Sequence, residues 1–384
     1  MKITFVLLTV LAVQPLLSSD PLVVFFIDPS YGEYSGDAML VCTPGDRHFV
    51  IDGGMYTSYP PAWDCGEQRV LPLLDSLGVT YLDGVVGSHQ DADHIGGLIS
   101  VYQSVPVVTA YDSGWPYGGT WTYENYLDAI LSNGSDFVTP RRGDQLDWGP
   151  ELTVETLHPV EPLSPSSTNN SSLVLRLTYG EVSFLFTGDL ETNGGEDVIL
   201  GALSSGIIDD ISADVLKVGH HGSVSSTCTQ WLAKVNPSVA AICVGSGNPY
   251  GHPHTEVVNR LNGRNIDIYR TDLDGTFYIS SDGDSIYVNS LPPEQQEPEP
   301  PEGFAVYPSP ATVQATFSCD SQGGSFDVQV YNLNGEMVFS AGATGGSCTW
   351  DLSTDGGLAA PGLYAAVFIT SGGEPYTEYF TVSR

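Results

Sequence analysis

Between His89 and His94 the chain places four side chains able to bind a metal ion: His89, Asp91, Asp93 and His94. An apolar run, Leu82 to Val86, precedes them, and Ile95-Gly96-Gly97-Leu98-Ile99 follows. The first run reads as a buried strand and the second as the opening turn of a helix. The four groups therefore sit on a strand-to-helix loop at the carboxyl end of a strand, where α/β proteins place their chemistry. In an extended loop, side chains at i, i+2 and i+4 point the same way. His89, Asp91 and Asp93 can then converge while His94 turns aside, so one loop can feed two neighbouring ions. Capping of the following helix by Asp91 or Asp93 would need only one such residue. Two His and two Asp suit divalent metals that accept nitrogen and oxygen ligands.

The same pattern recurs along the chain. Apolar strands end in Asp52, His89, His158, Asp189 and the pair His220-His221. Strand ends on one edge of a sheet lie close together, so five loops can supply one site. Seven of the eight histidines fall in or near such loops, His48 being the exception. Apolar residues at helical spacing (Val70, Leu71, Leu74, Leu77) and the stop at Gly78 predict a helix over Gln68 to Leu77. Strands alternating with helices continue to Val288, which places this part in the α/β class. The segment Tyr111 to Trp121, with Trp115, Tyr117 and Trp121, is expected either to wall a substrate pocket or to pack locally.

Residues 1–19 read as a secretory signal: Lys2, an apolar stretch from Ile3 to Leu17, then Ser18-Ser19. The stretch is too short and interrupted for a membrane span, and no other segment is long and apolar enough. The expectation is a secreted or cell-surface protein with no membrane span after signal removal. Twelve basic residues face 46 acidic ones, a net charge of −34. A surface this acidic repels polyanions, so no stable nucleic-acid complex is expected. Bound cations can still invert the potential locally for a phosphodiester substrate, small or polymeric. Six cysteines in an exported chain allow disulfides. Cys319–Cys348 is the pairing expected first, with Cys42–Cys65 and Cys228–Cys243 as alternatives to free buried thiols.

Pro and Glu dominate residues 291–303, which read as an extended linker between a domain over 20–290 and a different one over 304–384. The last part has short apolar runs separated by Gly/Asn/Asp turns, from Thr312 to Val382, as in a small all-β sandwich.

With these residues in view, residues 22–288 resemble the metallo-β-lactamase superfamily, and within it the extracytoplasmic domain of ComEC-type DNA-uptake proteins. Gly36-Asp37-Ala38, Ile51-Asp52-Gly53-Gly54, Ser88 to Gly97, Leu157-His158-Pro159, Asn169 to Leu175, Thr187-Gly188-Asp189, Val215 to Gly222, Tyr250-Gly251-His252-Pro253 and Tyr269 to Asp272 carry the likeness. The resemblance implies an αββα sandwich and a hydrolytic site with two divalent ions, zinc with manganese as the alternative. His89, Asp91 and His158 would hold one ion. Asp93, His94 and one of His220 and His221 would hold the other, His221 as ligand and His220 toward substrate, with Asp189 between the ions. Asp91 stands where the commoner superfamily motif has His, as it does in the ComEC-like branch. The first loop, Asp28 to Ala38, is longer than the family's Asp-Val-Gly-Gln-Gly-Asp-Ala. Asp93, His220 and His252 are the expected catalytic groups, with His252 protonating a leaving group or holding a phosphate oxygen. Asp52, and also Asp37, would orient a ligand histidine, and Lys217 and Arg270 would reach phosphate. The C-terminal part resembles a type IX-like secretion-sorting domain through Tyr307 to Ala311, Val330 to Gly335 and Pro361 to Tyr364, which would make secretion machinery its partner.

The activity these residues point to is metal-assisted hydrolysis of a phosphodiester. Two other readings compete. The same ions could open a lactone or β-lactam ring or release choline phosphate from a cell-wall polymer. Alternatively, the protein is a surface-anchored binding module with a degenerate site, although no member of the ligand set is missing.

Overall fold

Alternating burial along the strands builds the N-terminal part in layers. In β1 (Leu22–Phe26), Leu22, Val24 and Phe26 enter one apolar cluster while Val23 enters another on the opposite face. This is the period of two that an extended chain imposes. The structure, a computed structural model, describes residues 21–31, 35–59, 62–115 and 120–289, and toward the C-terminus 304–307, 311, 314–319, 325–332, 337–344, 347–354, 357–359, 362–370 and 376–382. The expected signal and linker lie outside the described residues. The chain divides into two compact units, Met1–Gln295 and Gln296–Arg384.

The first unit continues with β2 (Ala38–Cys42), β3 (His48–Gly53), a small hairpin of β4 (Tyr56–Thr57) and β5 (Trp63–Asp64), α1 (Leu71–Ser76) and β6 (Leu82–Gly87). Then come α2 (Ala92–Ile95), α3 (Leu98–Ser104), β7 (Val107–Asp112), α4 (Trp121–Asn133) and β8 (Asp136–Val138). Its second half holds β9 (Gln145–Leu146), β10 (Leu152–His158), β11 (Val174–Tyr179), β12 (Val182–Phe186), α5 (Asp197–Ser204), β13 (Val215–Lys217), α6 (Thr229–Val235), β14 (Val239–Ile242), α7 (Thr255–Asn262), β15 (Asp267–Arg270) and α8 (Thr271–Asp274). Finally β16 (Phe277–Ser281) and β17 (Ile286–Val288) return to the first sheet.

Two sheets result, ordered β17-β16-β1-β2-β3-β6-β7-β8 and β15-β14-β13-β12-β11-β10-β9. They face each other across a core to which the first contributes Phe26, Phe49, Ile51 and Val86 and the second Leu175, Leu177, Phe184, Phe186 and Val215. The outer face of the first sheet packs Val23, Val50 and Val85 against Leu74 of α1, Leu98 of α3 and Tyr126 and Ile130 of α4. The outer face of the second packs Leu185, Leu216 and Ala240 against Ile199 of α5, Trp231 of α6 and Leu261 of α7. The architecture is therefore an αββα sandwich, as the family resemblance implies. Within each sheet one stretch is parallel: β3, β6, β7 and β8 in the first, β12 to β15 in the second. Parallel neighbours align their carboxyl ends, and this puts Asp52, His89, Asp189 and His220-His221 along one rim.

In the second unit, three strands (Phe304–Tyr307, Ala315–Cys319, Ser347–Trp350) and four others (Ser325–Asn332, Met337–Thr344, Gly362–Thr370, Tyr376–Val382) form two sheets. They share an apolar core that includes Phe317, Trp350, Val328, Val330, Phe368 and Phe380. This is the expected all-β pattern.

The cysteine expectation is corrected. Cys42, Cys65, Cys228, Cys243 and Cys348 are free. Register explains the first pairing: Cys348 stands opposite Phe317, so Cys319 falls a diagonal step away, beyond a disulfide's reach. Cys42, Cys65 and Cys243 serve as small buried apolar groups, and burial pushes their thiols far above the ordinary range.

Phe184 is fully buried between the sheets. Phe184→Ala is expected to cost about 3–5 kcal/mol of stability, measured by urea unfolding; a loss below about 1 kcal/mol would contradict a core placed there.

Candidate metal centre

The rim loops are shaped by backbone that few residues tolerate. Gly36 has φ +139°, and a Cβ there would collide with the carbonyl oxygen of Asp93. This close approach lets Asp37 N donate to Asp93 O (3.2 Å) and carries Asp37 under the metal loop. After β13, His220 and His221 take φ of 50° and 51°. Left-handed backbone at a non-glycine residue costs of order 1–3 kcal/mol. The bend it makes turns His221 inward to 5 % side-chain exposure and leaves His220 at 22 %.

Asp189 is the point on which the rings converge. Its Oδ1 lies 3.3 Å from His94 Nε2 and its Oδ2 lies 3.4 Å from His221 Nε2. Asp93 Oδ2 is 3.3 Å from the same His221 nitrogen. His220 Nε2 stands further off, 3.7 Å from Asp189 Oδ2. The rings of His89 and His94 are 4.1 Å apart, and Asp91 Oδ2 is 3.5 Å from His89 Nε2. Asp91 occupies the N-cap position of α2 but makes no capping hydrogen bond, so capping does not account for its side chain. His158 lies at the end of β10, 4 % exposed, with its nearest polar partner on the backbone of Asn170 and not among these carboxylates.

Each ring is held from behind. His94 Nδ1 donates to Asp52 Oδ2 (2.8 Å), and Ser88 donates to the same carboxylate through N (2.8 Å) and Oγ (2.7 Å). His221 Nδ1 donates to Cys243 O (3.0 Å) and lies 3.1 Å from Asp37 Oδ1. His158 Nε2 donates to Asn170 O (2.9 Å), and His89 Nδ1 lies 3.1 Å from Ser88 Oγ. The remaining nitrogens, His89 Nε2, His94 Nε2, His158 Nδ1 and His221 Nε2, are buried with no hydrogen-bond partner among the described residues, as is Asp189 Oδ1. Burying unpaired polar atoms costs about 1–3 kcal/mol each. Four imidazole nitrogens, three of them beside carboxylates, match the donor set of a divalent metal of zinc's type. Ligand atoms of Asp37, His94, Asp189 and His221 lie within 4.8 Å of one another. Asp37 reaches the two rings from their Nδ1 side (3.1 and 3.8 Å), so we place it with the supports and not with the ligands.

The electrostatics follow from this packing. Burial alone would neutralise His94 and His221, but the carboxylates of Asp189, Asp52 and Asp37 outweigh it and raise both well above the ordinary histidine value. Burial would raise Asp189, yet His221 and His94 hold it well below the usual carboxylate range. His158, with no such carboxylate, is lowered to about 4 by burial. His252 is lowered to about 4 by burial and by His221 and His220; its ring centre is 5.5 Å from that of His220 and 6.4 Å from that of His221.

Both basic residues expected at phosphate have partners of their own, and for Lys217 the expectation is corrected. Lys217 is fully buried against Asp37 and donates to Gly188 O (3.2 Å), so it is a structural counter-ion out of reach of phosphate. Arg270 is engaged by Asp272 through Nε (2.9 Å) and Nη2 (2.6 Å). Of the aromatic segment, Trp121 stacks on Tyr56 with centroids 5.7 Å apart, while Tyr117 lies outside the described residues. Sequence reading assigns no role to Asn170, Ser172 or Cys243 O. The Asn169 to Leu175 motif is the one available signal for the first two, and a backbone carbonyl leaves none.

The carboxylates around His94 and His221 favour their protonated forms in the metal-free protein, and a metal ion must displace those protons. Metal binding should therefore release protons and tighten as pH rises. Calorimetric titration of metal-free protein in buffers of different ionisation enthalpy checks this; heats independent of buffer would contradict it.

The likeness to known proteins lies over the same residues. The profile described as Metallo-beta-lactamase superfamily matches residues 31–246, more than half of the chain. ComE operon protein 3 of Bacillus subtilis is 35 % identical over 254 residues, covering 63 % of this chain and 31 % of that protein. Competence protein ComA of Neisseria gonorrhoeae is 31 % identical over 242 residues, covering 62 % and 30 %. The chain thus spans about a third of the length of these relatives. Among solved structures, a diphosphatase of the PhnP family is similar with a TM-score of 0.39 and 12 % identity, covering 68 % of this chain and 98 % of that one.

Proposed function

The chain belongs to the metallo-β-lactamase superfamily, and on that premise we propose that it is an exported phosphodiester hydrolase working with two divalent ions. One observation carries the reading: four unpartnered imidazole nitrogens and the unpartnered Asp189 oxygen, all buried at one rim. His89, Asp91 and His158 would hold one ion, and Asp93, His94 and His221 the other, with Asp189 between them. Bound there, the ions supply Lewis acidity that makes water a nucleophile near pH 7 and offsets charge on a phosphoryl oxygen.

The chain's own residues do the rest. Asp52, Asp37 and Cys243 O fix ring orientation and leave Nε2 of His94 and of His221 as the free nitrogen. Lys217 balances Asp37, so the supporting carboxylate stays ionised. Asp93, at 28 % side-chain exposure, and His220, at 22 %, face the open side of the site. His252, neutral at pH 7 with its value near 4, suits a hydrogen-bond donor to a phosphate oxygen better than an acid for the leaving group. The net charge of −34 favours a small or flexible phosphodiester over a stable nucleic-acid complex. Export, and a role for the C-terminal unit in engaging secretion machinery, belong to the same proposal. Among the described residues no helix is long and apolar enough to cross a membrane.

Metal-loaded protein is expected to turn over bis-p-nitrophenyl phosphate and to leave nitrocefin largely intact. Asp189→Ala should lower the former rate by more than about 100-fold, beyond the loss expected from a supporting residue. Fast nitrocefin hydrolysis without phosphodiesterase activity would sink the substrate class, and an active Asp189→Ala would sink the bridge.

A further inference from the structure

One short segment touches the loops that carry His89, His158 and Asp189 without offering the site a ligand. Asn170 O accepts from His158 Nε2 (2.9 Å). The side chain of Asn170, 1 % exposed, faces the other way: its Oδ1 accepts from Glu191 N (3.0 Å), and its Nδ2 donates to Asn193 O (2.9 Å) and Ser166 Oγ (2.8 Å). Ser172 Oγ accepts from Asp189 N (3.1 Å). Leu173 N donates to Ser88 O (2.7 Å), one residue before His89. Gly195 packs so closely on the Asn170 amide that a Cβ there would collide with Oδ1.

An amide with both ends satisfied in a buried setting has little freedom to tilt. Its carbonyl and its side chain therefore set His158 at a fixed distance from the loop that carries Asp189. The second ion's ligands have other anchors: His94 is held by Asp52, and His221 by Cys243 O and Asp37. Of the four rings, His158 alone is hydrogen-bonded to Asn170 among the described residues, and the Asn170 side chain ties it to the Asp189 loop through Glu191 N and Asn193 O.

We propose that Asn170 is a positioning residue that ties His158 to the Asp189 loop and so sets the affinity of the ion on the His89–His158 side more strongly than that of the other. This rests on the two-ion reading above. Ser172 has a different part: by holding the backbone of Asp189, which lies between the ions, it acts on both. A residue that merely supported the fold would weaken both sites together.

The test is a titration of metal-free, full-length protein with Zn²⁺ in competition with a chromophoric chelator, beside thermal unfolding of the metal-free chains. Wild type is expected to show two sites. Asn170→Ala and the near-isosteric Asn170→Asp, which keeps the acceptor for Glu191 N and loses the donor to Asn193 O and Ser166 Oγ, should weaken one site by about 10–100-fold and the other by clearly less. Their metal-free unfolding midpoints should stay close to wild type. Ser172→Ala should weaken both sites. Equal weakening of both sites in the Asn170 variants, or of neither, overturns the inference. If Asn170→Ala does not fold, Asn170→Asp decides by the same criterion; if neither folds, Asn170 belongs to the fold and the inference is overturned. A wild type with a single site overturns the two-ion reading itself, which the variants' titrations alone would not do.

Discussion

Buried charge at the rim can persist only where each group meets its opposite, and Asp189 is where that balance is struck. Its two oxygens face His94 and His221 from the two sheets, one ring carried by α2 after β6 and the other by the bend after β13. Behind those rings stand Asp52, Asp37 and Lys217, all buried. The arrangement is an alternating chain of charges: Lys217, Asp37, His221, Asp189, His94, Asp52. Removing one partner would leave its neighbour uncompensated in a low-dielectric setting, at a cost of roughly 3–5 kcal/mol. The order of charges thus ties the two sheets together at the same edge where chemistry is placed.

That edge is also where the backbone is least ordinary. Gly36 at φ +139° and the successive left-handed His220 and His221 let loops approach closely and turn a ring inward. The sandwich core beneath, with Phe26, Phe49, Phe184 and Phe186 between the sheets, provides a rigid base for loops that are themselves strained. Strain at the rim and close packing below are two sides of one arrangement: the first aims the ligands, the second keeps them aimed.

Much of this was legible in the order of residues. The strands ending in Asp52, His89, His158, Asp189 and His220-His221 could be read because apolar period and strand-end polarity are local properties. The α/β class and the all-β C-terminal part followed from the same kind of pattern. For the 220–221 pair, residue order favours His221 as the inward histidine without settling it, since one bend of the backbone decides. Lys217 was misread as a phosphate contact because a lysine beside a site is indistinguishable in sequence from a lysine beneath it. The expected Cys319–Cys348 bridge failed on register, which depends on how two strands pair and not on how many residues separate them.

Sequence alone determined the donor chemistry, imidazoles and carboxylates at the ends of apolar strands, and the α/β class of the part that gathers them. Tertiary structure decided which nitrogen of each ring is left free, that Asp37 and Lys217 lie beneath the rings, and that Asn170 spans the distance from His158 to the Asp189 loop. The physical reason is range. Periodicity and strand-end polarity are fixed within a few residues, whereas a ring's free nitrogen depends on its hydrogen-bond partner, and those partners come from elsewhere: Asp52 for His94, Cys243 for His221, Asn170 for His158.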